Sequence, residues 1–160
     1  MSDVRLRPLR DDEEQLVVEA SMGTINWPGP RFSLDEARAN PSIERYLHWR
    51  PERGDVGIVA EAGDEVVGLV WLAFFPADDA GYGFVAEGVP EYAIWVRDGW
   101  RRQGLGCALT RAIIDEARRR GLDRISLSVE ATNPSRFLYA AEGFVPVPGG
   151  EEDGVMLLTL

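Results

Sequence analysis

The sequence predicts an α+β fold on a mixed sheet of about six or seven strands. Three observations carry this. Residues 92–96 (Tyr-Ala-Ile-Trp-Val) are apolar, aromatic and β-branched throughout, as in a buried strand. Residues 107–120 then show helical spacing and residues 124–129 strict alternation, so two parallel strands flank a right-handed crossover helix. Finally, the apolar runs 55–61 and 65–75 meet at Ala62-Gly63-Asp64, an antiparallel hairpin signal.

The other elements follow in order. Residues 4–8 alternate and open as a strand, which Pro8 places at an edge or ends. Asp11 can cap a helix running to about Met22, with Glu13 and Glu14 in its first turn. Residues 24–30 hold two prolines around a glycine and read as irregular. Ser33 begins a second helix, with Glu36 completing a capping box; Pro41 breaks or restarts it, and a helical pattern continues through Ile43, Tyr46 and Leu47. Residues 76–90 form a polar, glycine-rich loop. Residues 134–142 are a short helix stopped by Gly143, residues 144–147 begin a strand, and residues 155–160 close the sheet. There is no repeat or linker, so residues 1–160 read as one domain.

Composition narrows the function. The chain is 45% hydrophobic and 28% charged, with a formal charge of −10. That charge disfavours nucleic acid and suits a cationic partner such as an amine. One cysteine and one histidine exclude a disulfide within the chain and leave no set of metal ligands. No apolar run approaches the roughly 20 residues that span a bilayer. The first residues lack a leader's apolar core, so the expected location is the cytoplasm.

The chemistry concentrates where the central strand meets the central helix. Arg97, Arg101 and Arg102 precede Gln103-Gly104-Leu105-Gly106, and the helix follows at once. A helix start leaves roughly four backbone N–H groups unpaired and carries about half a positive charge. Gly104 and Gly106 lack a Cβ and let an anion approach the backbone. The stretch reads as a phosphate cradle; the plain alternative is an arginine-rich surface turn beside an ordinary helix.

Arg101-Arg102-Gln103-Gly104-Leu105-Gly106 matches the Arg/Gln-x-x-Gly-x-Gly/Ala signature of the GNAT N-acetyltransferase superfamily, and Leu138-Tyr139-Ala140-Ala141-Glu142-Gly143-Phe144 is similar to its Leu-Tyr-x-x-x-Gly-Phe element. The resemblance covers about residues 55–160 closely and the first fifty loosely, which divides the chain into an acceptor-side region (1–54) and a cofactor-binding core (55–160). It implies a mostly antiparallel sheet with helices on both faces, whose two central parallel strands splay around the pantetheine arm of acetyl-coenzyme A. The N–H groups of Arg102 to Ala108, including Cys107, would then hold the pyrophosphate, and the edge of Ile94, Trp95 and Val96 would pair with the arm and steady the thioester oxygen. Tyr139 becomes the general acid for the departing thiolate, where residue type alone would make it a packing side chain. Ser135 fits a small position of the family. An asparagine that the family places seven residues before the tyrosine falls at six here, so Asn133 or Thr132 takes its contact to the arm.

The base is open between Glu91, at the start of the strand leading to the thioester, and Glu87; loop glutamates are otherwise solvated surface. Cys107 reads as a small packing residue in preference to an acyl carrier, and His48 as packing or surface. Trp27 and Phe32 flank the Pro/Gly segment, and the resemblance makes them an acceptor wall. The implied activity is acetyl transfer to a primary amine by direct attack in a ternary complex, with a homodimer possible; the rival is a coenzyme binder that transfers nothing. A dinucleotide fingerprint ending at Glu130 is imitated, but Leu109 stands at the third glycine position.

Overall fold

The computed structural model describes residues 3–160; the reading that the chain lacks a leader rests partly on Met1 and Ser2, which lie outside the described residues. The alternating runs become seven strands: β1 (Arg5–Pro8), β2 (Val56–Ala62), β3 (Glu65–Ala73), β4 (Glu91–Val96), β5 (Arg124–Ser128), β6 (Val145–Pro146) and β7 (Val155–Thr159). They form one sheet in the order β1-β2-β3-β4-β5-β7-β6. Every neighbouring pair is antiparallel except β4 and β5, which are parallel and register only at Glu91 opposite Ser126. Beyond that point the two strands part.

The helices are α1 (Glu14–Ile25), α2 (Leu34–Ala39), α3 (Pro41–Glu44), α4 (Leu105–Arg119) and α5 (Ser135–Ala141). They cover both faces, which explains why β3 is apolar without alternation. Val70 and Leu72 pack on one face with Leu109 and Ile113 of α4, while Leu69 and Trp71 pack on the other with Val17 and Ala20 of α1. Gly68 is where α4 comes closest: a Cβ there would lie 2.9 Å from Leu109 and 3.2 Å from the Trp95 carbonyl. Leu109 is wholly buried, and truncating such a leucine to alanine costs about 2–5 kcal/mol.

Several boundaries differ from the sequence reading, each for a local reason. Asp11 does not cap α1. The helix starts at Glu14, and the Glu13 carboxylate accepts the Arg10 N–H and two bonds from Arg7 instead. The helix also runs on through Thr24 to Ile25, because Asn26 closes it with its N–H on the Met22 and Thr24 carbonyls. The Ser33–Glu36 capping box forms as read, whereas Pro41 starts a separate turn capped by Asn40. A 3₁₀ turn (Arg45–Leu47) replaces the longer helical run expected there. Strand β3 stops at Ala73, since the Phe74 N–H donates to Asp55 Oδ1. The hairpin turn is Gly63-Asp64, with Ala62 already paired to Glu65. Gly121 ends α4 at φ +77°, the left-handed conformation that glycine adopts without cost. Among the described residues no helix is long and apolar enough to cross a membrane.

Candidate active site

Hydrogen bonding along β4 shows which of its groups are free. The Arg97 N–H donates to the Val67 carbonyl on β3, so in an antiparallel ladder the backbone groups of Trp95 and Ala93 face β3 as well. Those of Ile94 and Val96 therefore face the gap toward β5. Their carbonyls are taken by side chains: Thr24 Oγ1 donates to Ile94 O at 3.0 Å and Arg101 Nε to Val96 O at 3.3 Å. What the edge presents to the gap is the N–H groups of Ile94 and Val96.

That edge leads to the start of α4. Gly104 occupies the N-cap position at φ +81°, and a Cβ built there meets nothing within 4 Å, so the space before the helix is open. The Ala108 N–H donates to Gly104 O at 3.0 Å, which removes Ala108 from the N–H groups expected to be free; Leu105, Gly106 and Cys107 keep theirs. The first turn is tied to β4 through a buried chain, with the Tyr92 hydroxyl on Thr110 Oγ1 and Thr110 Oγ1 on Gly106 O, each at 2.7 Å. Arg102 is exposed at φ +61°, the only non-glycine residue with positive φ among those described. Gln103 folds back to the Gly99 carbonyl, and Arg101 also pairs with Asp98 at 3.3 Å. Arg97 points elsewhere: its guanidinium stacks on Trp95, donates to Val66 O and meets Glu19. The Trp95 indole packs against Gly23 of α1 and its main-chain groups face β3, so Trp95 offers the gap neither its ring nor a backbone donor.

On the other side of the parting strands is a cavity of about 480 Å³. It brings together six residues singled out in the sequence: Trp27, Phe32, Glu91, Ile94, Asn133 and Tyr139. Asn133 lines it and Thr132 does not. The Asn133 Oδ1 accepts the Ser135 N–H at 2.9 Å to start α5, so the amide N–H groups are what it can offer the cavity. Tyr139 is buried edge-on against Tyr92, with ring centroids 5.4 Å apart. Burial pushes its phenol up to about 12, and Ser135 one turn earlier pulls weakly the other way.

Glu91 is buried at the cavity wall. The Tyr46 hydroxyl donates to its Oε2 at 2.7 Å and the Gly83 N–H to its Oε1 at 3.0 Å. Burial raises its carboxyl to about 7, and these two donors keep it from rising further. Tyr82 stacks on Tyr46 and gives its N–H to the Tyr46 hydroxyl, so loop 76–90 fastens the pair from above. A Cβ at Gly81 would overlap both Tyr46 Oη and Glu91 Oε1, so glycine is required there. Glu87, the other candidate base, is exposed and accepts the Ala77 N–H instead.

Four residues at the cavity were not legible beforehand: Tyr46, Thr24, Arg31 and Glu130. Arg31 Nη1 pairs with Glu130 at 2.9 Å and the Trp27 indole N–H donates to the same carboxylate, bridging the α1–α2 loop to the loop after β5. Partial burial pushes the Glu130 carboxyl upward, but these two bonds outweigh it and hold it below the usual range. Glu130 thus has a partner nearly a hundred residues away, which no local pattern encodes.

The match to known proteins agrees with this geometry. Residues 21–144 fit the acetyltransferase (GNAT) family. The chain belongs to that family. It is 30% identical to a mycothiol acetyltransferase of Saccharomonospora viridis over 165 aligned positions, covering 84% of this chain and 54% of that protein. A second mycothiol acetyltransferase, from Beutenbergia cavernae, is 36% identical over 94 positions, covering 54% of this chain and 32% of that one. The chain thus spans about half the length or less of the curated relatives it matches. In fold it resembles the PaiA N-acetyltransferase of Thermoplasma acidophilum, solved in complex with coenzyme A, at a TM-score of 0.69 and 15% identity over 99% of each chain. A GNAT-family acetyltransferase from Staphylococcus aureus superposes at a TM-score of 0.71, with 14% identity over 99% of each chain. GNAT acetyltransferases use acetyl-coenzyme A, and the unpaired β4 edge, the open space before Gly104 and the free N–H groups at the start of α4 fit such a molecule.

Proposed function

We propose that this chain transfers an acetyl group from acetyl-coenzyme A to a primary amine by direct attack in a ternary complex. The observation that carries this is one continuous path. The α4 start leads along the unpaired edge of β4 into a cavity walled by a buried carboxyl and a buried tyrosine. In this reading the N–H groups of Leu105, Gly106 and Cys107 hold the pyrophosphate, with Arg101 and Arg102 adding charge nearby. Those of Ile94 and Val96 receive the pantetheine arm and the thioester oxygen, and Asn133 and Ser135 flank the arm. Acetyl-coenzyme A supplies an activated acyl group.

The remaining steps belong to side chains. Glu91 takes the proton from the incoming ammonium: with its carboxyl raised to about 7, it is ionised enough to accept and basic enough to be useful. The Tyr46 hydroxyl and the Gly83 N–H hold its two oxygens, Oε2 and Oε1, in place. Tyr139, whose phenol stays protonated across the working range, gives its proton to the departing sulfur. The transfer is not prohibitively uphill, because apolar surroundings raise a thiolate's proton affinity as they raise the phenol's. Trp27 and Phe32 form the acceptor wall. Residues 1–160 act as one acetyltransferase domain in this reading, with residues 1–54 on the acceptor side and 55–160 holding the cofactor. The domain works in the cytoplasm. A homodimer would use the sheet edges at β1 or β6.

The test is release of coenzyme A thiol from acetyl-coenzyme A with a panel of primary amines, alongside Tyr139→Phe. Amine-dependent release that collapses in the variant is the expected result. Tight acetyl-coenzyme A binding with no release for any amine would instead mark a binder that transfers nothing.

A further inference from the structure

Two buried side-chain polar atoms have no hydrogen-bond partner among the described residues: Arg53 Nη2 and Ser126 Oγ. The Arg53 guanidinium is otherwise held, by Asp55 at 2.8 Å and by the face of Phe75. Ser126 has no such compensation. It is wholly buried on β5, and a hydroxyl shut away from water with nothing to bond is costly to keep.

The fold puts this hydroxyl beside Glu91. Ile125 and Leu127 pack into the α4-side core, so Ser126 between them faces the other way. On β4, Tyr92 and Ile94 pack on the α4 side and Ala93 on the α1 side, which gives Glu91 the same face as Ser126. The two are the registered pair of the parallel strands, and the Ser126 N–H donates to the Pro90 carbonyl at 3.0 Å. Their side chains thus stand side by side, on strands about 4.8 Å apart. Gly83 lies against β5, where a Cβ would come within 2.7 Å of the Leu127 carbonyl carbon. Glu91 Oε1, which accepts the Gly83 N–H, is therefore the oxygen turned toward β5.

As a carboxylate, Glu91 is satisfied by its two donors, the Tyr46 hydroxyl and the Gly83 N–H. Once it takes a proton it must also donate. An N–H cannot accept that bond, and the Tyr46 hydroxyl already donates to Oε2 and accepts the Tyr82 N–H. Ser126 Oγ is the neighbouring acceptor left unused. We propose that Ser126 is a positioning residue for the base: as the ammonium N–H bond breaks and an O–H bond forms on Glu91 Oε1, that O–H donates to Ser126 Oγ. This rests on the acetyl-transfer reading above, in which Glu91 takes the proton. Two hydroxyls then serve opposite states of one carboxyl, Tyr46 the ion and Ser126 the acid.

Other charges face Glu91 as well. Arg45, on the turn that carries Tyr46, favours the ion and is itself engaged by Asp79 at 3.0 Å, and Tyr82 stacks on Tyr46. Tyr139, the Arg31–Glu130 pair, Glu152 and Asp153 face it across the cavity, and Arg124, two residues before Ser126, is exposed. All of these stay in place in the variants below, so a shift reports on the two hydroxyls.

The experiment titrates the carboxyl directly, by carbon-13 NMR of the full chain labelled at the glutamate side-chain carboxyl, with Glu91→Gln assigning the resonance. The midpoint, near 7 in the parent protein, should fall by roughly half a pH unit to one in Ser126→Ala, because the acid loses its acceptor. In Tyr46→Phe it should rise by a similar amount, because the ion loses a donor. Ser126→Thr keeps the hydroxyl and should restore the parent midpoint. The rising limb of the pH–rate profile for thiol release should move with each midpoint. A midpoint in Ser126→Ala that stays put or rises overturns the inference: the first marks a hydroxyl that only packs, the second one that serves the ion. A shifted midpoint with an unmoved rate limb keeps the bond to Ser126 and removes Glu91 as the base, so the two claims fail separately.

Discussion

The two halves of the site are built in opposite ways. In the proposed reading the cofactor side comes from one short stretch, β4 through the first turn of α4, in which each group is placed by its immediate neighbours. The Gly104 backbone, the free helix N–H groups and the outward N–H groups of β4 all follow from local hydrogen bonding. The proposed acceptor side is assembled from segments far apart in the chain. Tyr46 reaches Glu91 across 45 residues, Arg31 reaches Glu130 across 99, and the Gly154 carbonyl accepts the Val129 N–H. A main-chain cradle tolerates drift in side chains, so one signature can serve many acceptors. The acceptor pocket is a set of long-range side-chain contacts and can change with few substitutions.

Substitutions in each half sharpen this contrast. The largest effect is expected where the halves meet, at Tyr139. Tyr139→Phe keeps the ring packed on Tyr92 and Phe144 but removes the proton, so turnover at saturating acetyl donor should fall on the order of a hundredfold or more. Unchanged turnover would take away the acid role.

Next is Glu91→Gln. Because the carboxyl is raised to about 7 and must be ionised to act, the rate should climb as pH rises through that value. The variant should be about tenfold or more slower at pH 8 and lose that limb of the profile. An intact profile in the variant would exclude Glu91 as the base. A linked effect appears in stability. The native carboxyl holds its proton more tightly than an unfolded chain does, so burial costs nothing while both forms are protonated, below about pH 4.5. The cost grows as pH rises toward 7, of order 3 kcal/mol, and then levels. Chemical denaturation at pH 4.5, 6 and 8 reads this directly, with Glu91→Gln flattening the trend.

Smaller effects should divide by half. Gly104→Ala has room for its methyl group but must hold φ near +81°, at about 1 kcal/mol of strain. Acetyl-coenzyme A should bind several-fold more weakly while the acceptor KM barely moves. Trp27→Ala should do the opposite, raising the acceptor KM several-fold with the donor KM unchanged. If both KM values shifted together in both variants, the division into two separately built halves would fail.

The same division explains what could be read from the chain beforehand. The hairpin joining β2 to β3, the helical spacing that becomes α4 and the Ser33–Glu36 capping box depend on residues close in sequence, and each forms. The start of α1 was misread because Glu13, not Asp11, is drawn into a contact with Arg7 of β1. Ala108 was assigned a free N–H because its bond depends on which residue begins the helix.

By itself, then, the sequence determined the mixed sheet, the crossover helix and its glycine-led start, because periodicity and glycine conformation act over a few residues. Tertiary structure alone decided that Glu91 would be buried, that Tyr46 and Gly83 would hold it, and that Arg31 would be spent on Glu130. A carboxylate's affinity for its proton, and a cavity's net charge, depend on which distant groups share the low-dielectric space with it, and chain order does not record that.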